Sequence, residues 1–80
     1  MGEKDLPLDR GSRIYKVFEE LGLVFRGRSE KNHYILTHPD RPNLYISIPD
    51  HSEVDRRLLK AEIRKAGFTD KQFRKKYDGH

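Results

Sequence analysis

The spacing of hydrophobic side chains along the chain predicts a helix first. Apolar residues recur at intervals of three and four positions, at Ile14, Val17, Phe18 and Leu21. This spacing places them in one stripe on a helical surface. Asp9 is a suitable N-cap, and Gly22 is a typical residue just past a helix C-terminus. The pattern therefore predicts an amphipathic helix from about Asp9 to Gly22.

The next stretches have the composition or the alternation of strands. They cover residues 23–26, 33–37 and 44–48, and in the last one Leu44, Ile46 and Ile48 alternate with Tyr45 and Ser47. The polar loop 27–32 and the proline-containing turn 38–43 connect them. Because both connections are short, we expect an antiparallel three-stranded meander.

A helical pattern returns after Pro49. A helix begins between Ser52 and Asp55 and ends at Gly67, with Leu59, Ile63 and Ala66 as its apolar stripe. Thr69 and Gln72 have the spacing of a capping box, which predicts a short last helix to about residue 76 with Phe73 and Tyr77 facing inward. The predicted fold class is α+β, in the order α-β-β-β-α with a short C-terminal helix. Both long helices should cover one sheet face, because three strands cannot bury both faces alone.

Length and composition limit what this fold can be. The 80 residues suffice for one domain, which we place at 9–77 between a flexible arm, 1–8, and a tail, 78–80. Charged residues make up 38% of the chain and there is no cysteine, so disulfides and thiolate chemistry are excluded. No apolar run approaches the length of a membrane span. We expect a cytoplasmic protein that does not bind membranes.

Positive charge is concentrated late in the chain. Residues 55–77 carry nine Lys and Arg against three Asp and Glu, whereas residues 1–54 carry eight against nine. This asymmetry favours an anionic partner, nucleic acid before membrane. A well-solvated helix surface explains the same charges about equally well. The candidate phosphate contacts on the closing helix are Arg56, Arg57, Lys60 and Arg64.

His33 opens the predicted middle strand and is the candidate catalytic residue. With a reference pKa of about 6.5, an imidazole can act as base or acid near neutrality. Arg28 and Lys31 are the nearest cations in sequence and could stabilise developing negative charge. The alternative is a surface histidine without a role.

The other histidines are weaker candidates. His51 follows Pro49 and serves either as a second proton carrier or, as we favour, as a ring that supports the connector. His38 lies five residues after His33, which on a regular strand places it on the opposite face. No histidine and carboxylate spacing supports a zinc site, and we expect neither a metal nor a cofactor.

Several short motifs together resemble the HicA family of type II toxin–antitoxin toxins, over roughly residues 10–77. They are Gly11 with the first helical stripe and Gly22-Leu23, the strand 33–39, Ile48-Pro49-Asp50-His51, the closing helix with Leu59, Ile63, Ala66 and Gly67, and Phe73. The resemblance implies a double-stranded-RNA-binding-like fold. It also implies a ribosome-independent endoribonuclease that cleaves mRNA, with His33 at the catalytic position.

The resemblance further implies a HicB-type antitoxin as protein partner, and it leaves open an oligomer formed through that complex. One departure from the family pattern precedes His33, where Lys31-Asn32 stands in place of Gly-Ser. Either the loop is rearranged and Lys31 contacts phosphate, or activity is weakened or lost. The alternative function is therefore a non-catalytic RNA-binding or antitoxin-binding module on the same fold.

Overall fold

A computed structural model describes residues 6–79 of the chain. Six elements follow one another, α1 (Gly11–Glu20), β1 (Val24–Arg28), β2 (His33–His38), β3 (Arg41–Pro49), α2 (Arg56–Lys65) and α3 (Asp70–Asp78). The strands form one antiparallel sheet in the order β1-β2-β3. This architecture confirms the predicted α+β class and the meander with a short last helix.

The sheet has one covered face and one open face. In β2 and the second half of β3 four even-numbered side chains are buried, those of Tyr34, Leu36, Ile46 and Ile48. Alternation along a strand places the odd-numbered side chains on the other face. We call this surface the open face, and its members from β2 and β3 are His33, Ile35, Thr37, Tyr45 and Ser47.

The three helices supply the rest of the core on the covered face. Ile14, Val17 and Phe18 from α1 and Leu59 and Ile63 from α2 belong to one buried core. The α3 helix adds Phe73, whose ring centroid lies 5.1 Å from that of Phe18. The predicted capping box of α3, Thr69 with Gln72, is present. Among residues 6–79, no helix is long and apolar enough to cross a bilayer.

A β-bulge next to Gly27 determines on which face of the sheet each side chain of β1 lies. Phe25 pairs with Leu36, but the next pair is Gly27 with Ile35, so one extra residue, Arg26, is inserted in β1. Gly27 has a φ of 115°, a backbone region that side chains disfavour. Because a one-residue shift reverses the faces of a strand, Arg28 lies opposite Tyr34 rather than opposite His33.

The start of α1 packs directly against the end of β3. A Cβ added to Gly11 would lie 2.0 Å from the carbonyl oxygen of Pro49, so only glycine fits there. The Gly11 amide donates a hydrogen bond of 2.9 Å to the carbonyl of His51. The junction therefore fixes the connector after β3 relative to α1.

The N-cap of α1 is Arg10, and the prediction of Asp9 was wrong. The Asp9 carboxylate instead accepts a 2.8 Å hydrogen bond from the Tyr77 hydroxyl and pairs with Arg13 at 3.2 Å. Desolvation alone would raise the pKa of Asp9, but these interactions outweigh it and lower that pKa below 3.8. The bond to Asp9, together with burial, raises the pKa of Tyr77 above 10.0. Asp9 thus ties α3 to α1.

The predicted domain boundaries can be compared with the structure only for residues 6–79. Residues 1–5 of the predicted arm lie outside the described range. Leu6, also assigned to the arm, is only 1% exposed and belongs to the core, and its carbonyl accepts a 2.9 Å hydrogen bond from Arg56 Nε. At the other end Asp78, assigned to the tail, is the last residue of α3.

Candidate functional site

His33 lies at the first position of β2, on the open face and half-buried. Its backbone pairs with Pro49, but its ring leans along β3 toward Ser47. The distance between His33 Nδ1 and Ser47 Oγ is 2.8 Å, a hydrogen bond of ordinary length. Nδ1 is therefore engaged within the protein, which leaves Nε2 as the ring nitrogen available to a ligand.

The turn between β1 and β2 holds the backbone of His33. The His33 amide donates to Ser29 Oγ at 3.2 Å, and the Ser29 amide donates to the His33 carbonyl at 2.9 Å. Asn32 has a φ of 60°, which asparagine tolerates better than most residues. Its carbonyl accepts the Asp50 amide at 3.0 Å. The left-handed residue of the turn is thus Asn32, and Lys31 does not need a glycine-like conformation.

Ser47 is a functional candidate that the sequence reasoning missed. A hydroxyl can either accept a hydrogen bond from Nδ1–H or donate one to an unprotonated Nδ1. Ser47 can therefore hydrogen-bond to either neutral tautomer of His33. In one tautomer Nε2 is unprotonated and can accept a proton, and in the other Nε2 carries a proton that it can donate. The Ser47 amide donates to Glu62 Oε1 at 2.8 Å, which anchors this part of β3 to α2.

Arg28 does not lie beside His33. The bulge at Gly27 places it on the covered face, where its guanidinium carbon is 5.1 Å from the centroid of the Tyr34 ring and its Nη2 pairs with Asp50. The Tyr34 hydroxyl also donates to Asp50 at 3.1 Å. Burial, and then this bond to Asp50, raises the pKa of Tyr34 above 10.0. The group ties the end of β1 to the connector after β3.

The remaining predicted residues near His33 occupy separate places. Lys31 is exposed at the tip of the β1–β2 turn, two residues before His33. The side chain of His51 is exposed, and its backbone carbonyl accepts the Gly11 amide. His38 closes its own turn, because its Nδ1 accepts the Asp40 amide at 3.0 Å.

The predicted cations of α2 lie in the helix layer, across the domain from the open face. Arg56 binds the Leu6 carbonyl, and Lys60 pairs with Asp70 at 3.8 Å. Arg57 and Arg64 are exposed. The structure therefore does not bring these four cations together with His33. Within residues 6–79, no three His, Asp or Glu side chains converge in a way that could hold a metal ion.

Comparison with known families matches the sequence to one of them. The model of the HicA toxin family, toxins of bacterial toxin–antitoxin systems, matches residues 11–68, from the start of α1 to the residue after Gly67. The chain belongs to the HicA toxin family. The resemblance seen in the sequence motifs is thereby confirmed. No curated protein matches the chain.

The HicA match covers one part of the molecule and omits another. It includes His33, Ser47, the whole sheet and the Gly11 junction. It ends before α3, which supplies Phe73 to the core and Tyr77 to Asp9. The candidate site thus lies within the HicA region, and α3 braces that region from outside it.

Proposed function

We propose that this HicA-family chain is an endoribonuclease that cleaves RNA, mRNA in particular, and that a HicB-type antitoxin protein neutralises it. The observation that carries the proposal is the His33–Ser47 pair. It presents a half-buried, oriented imidazole on a sheet face that no helix covers in the described residues. Membership of a toxin family supplies the class of reaction.

The simplest reaction for such a site uses the RNA's own 2′-hydroxyl. The 2′-oxygen attacks the adjacent phosphorus, the bond from phosphorus to the 5′-oxygen breaks, and one proton passes from the first oxygen to the second. His33 Nε2 takes the proton as base or supplies it as acid, and water carries the other transfer. Ser47 orients the ring and adjusts to either tautomer. The route requires acid–base groups and nearby positive charge.

Lys31 is the cation best placed to interact with phosphate at this end of the sheet. It is exposed on the turn that leads into His33, and the turn does not tie its backbone into a strained conformation. Arg28 is held against Asp50 and contributes mainly to the fold of this region. Arg57 and Arg64 would attract RNA over long range, or would contact the phosphates of a longer RNA that passes around the domain.

An antitoxin that masks the open face would block this reaction directly. The face offers exposed strand surface that includes Tyr45 and Val24, which both pair with Thr37, four residues along β2 from His33. The basic α2 and α3 helices would attract an acidic protein through the same charges that attract RNA. His51, exposed in the connector, then lies at the margin of such an interface.

The test is induction of the wild type and of His33→Ala in a bacterial host, with growth and mRNA integrity followed over time. We expect growth arrest and mRNA loss for the wild type, both abolished by His33→Ala. His38→Ala is the matched control, because it removes a histidine of the same strand that serves only its own turn. It should remain toxic.

Two outcomes would contradict the proposal in different ways. Toxicity with mRNA loss for both wild type and His33→Ala would retain the ribonuclease but reject His33. Intact mRNA and equal growth for all variants would leave a non-catalytic RNA-binding or antitoxin-binding module. Purified His33→Ala should keep the wild-type melting temperature, so that loss of activity is not loss of fold.

A further inference from the structure

Tyr45 is an exposed aromatic residue that the core does not explain. Its side chain lies on the open face of the edge strand β3 and is 53% exposed. Lys65, at the end of α2, places its Nζ 5.2 Å from the centroid of the Tyr45 ring. A cation over one face of an aromatic ring leaves the other face free to contact a ligand.

A cavity adjoins this ring at the outer edge of the sheet. Its volume is about 520 Å³, within the usual range for small-ligand sites. The β2–β3 pairing is irregular here, since Thr37 pairs with Tyr45 but His38 pairs with Arg41, and residues 42–44 lie between these two pairs without partners on β2. The lining residues are Arg41, Pro42, Asn43, Leu44, Tyr45 and Lys65.

The chemistry of the lining suits a nucleobase attached to a charged backbone. Tyr45, Pro42 and Leu44 give flat and apolar contact, while Asn43 offers both a donor and an acceptor to a base edge. Arg41 and Lys65 add positive charge for the phosphates on either side. Proteins that bind single-stranded RNA combine stacking aromatics with cations in this way.

The position of the cavity relative to His33 gives it a role in the same reaction. Tyr45 lies two residues before Ser47 on β3, a distance of about 7 Å along the strand. The His33 ring leans toward Ser47 and therefore toward Tyr45. Since Tyr45 pairs with Thr37, four residues from His33 on β2, the backbones of His33 and Tyr45 lie about 13 Å apart along the sheet, a span of more than one nucleotide in an extended single strand.

We infer that Tyr45 and its cavity form a nucleobase subsite, which stacks an unpaired base of single-stranded RNA on the same sheet face as, and along the strand from, the phosphate presented to His33. The inference rests on the proposed ribonuclease function and names its substrate as single-stranded. A base held at Tyr45 would fix the position of the scissile phosphate along the open face. Double-stranded RNA could not enter the subsite, because its bases are stacked and paired.

The experiment measures binding rather than cleavage, so it can succeed or fail independently of the catalytic proposal. His33→Ala protein is titrated into short fluorescent single-stranded RNA at low salt, with and without the second substitution Tyr45→Leu. We expect Tyr45→Leu to raise the Kd by about 5- to 150-fold, the range for loss of one stacked base. Tyr45→Phe, which keeps the ring, should bind like the parent.

An abasic scan supplies the decisive comparison. One abasic nucleotide is moved along the RNA, and the protein with Tyr45 should lose affinity at one position, whereas Tyr45→Leu should be insensitive there. Leu8→Ala is the matched control, since Leu8 is similarly exposed but lies next to the α2 N-terminus, away from the open face. It should leave the Kd unchanged.

Equal affinity of Tyr45→Leu and parent, with no position sensitive to the abasic nucleotide, would overturn the subsite. Preference for a duplex over the single strand would overturn it as well. Absence of RNA binding, combined with protection of Tyr45 by a protein partner, would assign the cavity to that partner. If Tyr45→Leu fails to fold, the abasic scan on the parent and Tyr45→Phe proteins still decides the question.

Discussion

Gly11→Ala tests the contact between α1 and β3 most directly, because two effects of opposite sign compete. Alanine is the better helix former, so propensity alone predicts a gain of up to about 1 kcal/mol in the free energy of unfolding. The added Cβ, however, would lie 2.0 Å from the Pro49 carbonyl oxygen and 3.2 Å from the Asp50 Cα. Ordinary contact begins at 3.4 Å. Both neighbours are backbone atoms, which cannot rotate away.

The magnitude follows from what must move. Relief of the clash requires α1 to shift by more than 1 Å from the end of β3, and overpacking of this kind costs about 1–3 kcal/mol. The same shift weakens the hydrogen bond from the Gly11 amide to the His51 carbonyl, worth roughly 0.5–1.5 kcal/mol. After the propensity gain, we expect a net loss of about 1–3 kcal/mol. For a domain of this size, each 1 kcal/mol lowers the melting temperature by about 4–8 °C.

The assay is thermal and urea denaturation of the purified proteins, with Gly79→Ala as control. Gly79 has a φ of −79°. A Cβ there would meet only ordinary contacts at 3.5 Å. Gly79→Ala should therefore be within about 0.5 kcal/mol of wild type. A Gly11→Ala protein as stable as Gly79→Ala, or more stable, would refute the reasoning. It would show that the contact with Pro49 relaxes without cost and that helix propensity dominates.

Three further predictions test other contacts. Ser47→Ala should lower kcat/KM for RNA cleavage by about 2- to 10-fold and change its pH profile, because His33 loses its orienting hydrogen bond; an unchanged profile would argue against this role. Tyr77→Phe should destabilise the fold at neutral pH. Because the pKa of Asp9 is lowered, this difference should fade in urea titrations as pH falls below 3.8; a difference that grows in acid would contradict the linkage. Phe73→Ala should cost about 3–5 kcal/mol and leave little folded protein by circular dichroism, and a wild-type melting temperature would show that α3 is dispensable.

The order of elements could be predicted because local patterns and tertiary packing agree. The stripes of α1 and α2 and the alternation of β3 bury most of the residues that their periodicity indicated, although Leu21 and Leu44 are only partly buried. The exceptions depend on contacts between distant parts of the chain. Leu6 has no periodic neighbours, and Asp9 has the composition of an N-cap but bonds to Tyr77, 68 residues away. The sequence around Leu6 and Asp9 does not indicate which distant residues they contact.

The candidate site was predictable only at its centre. His33 stands out by its position at the start of a strand and through the family resemblance. Ser47 was missed because its approach to His33 depends on the β2–β3 register, which an irregular turn shifts. Arg28 was placed beside His33 because the sequence does not show that Gly27 adds a bulge. One inserted residue exchanges the two faces of β1, and sequence periodicity cannot resolve a shift of that size.

The position of α3 has a consequence for synthesis. Phe73 fills the core beside Phe18, and Tyr77 reaches back to Asp9 at the start of the first helix. While the ribosome has synthesised only the sheet and α2, the first helix of the nascent chain lacks these partners. We therefore expect folding of the domain to wait until the third helix has left the ribosome. If the chain cleaves mRNA as proposed, the cleaving conformation would then form only after the codon for Tyr77 has been translated.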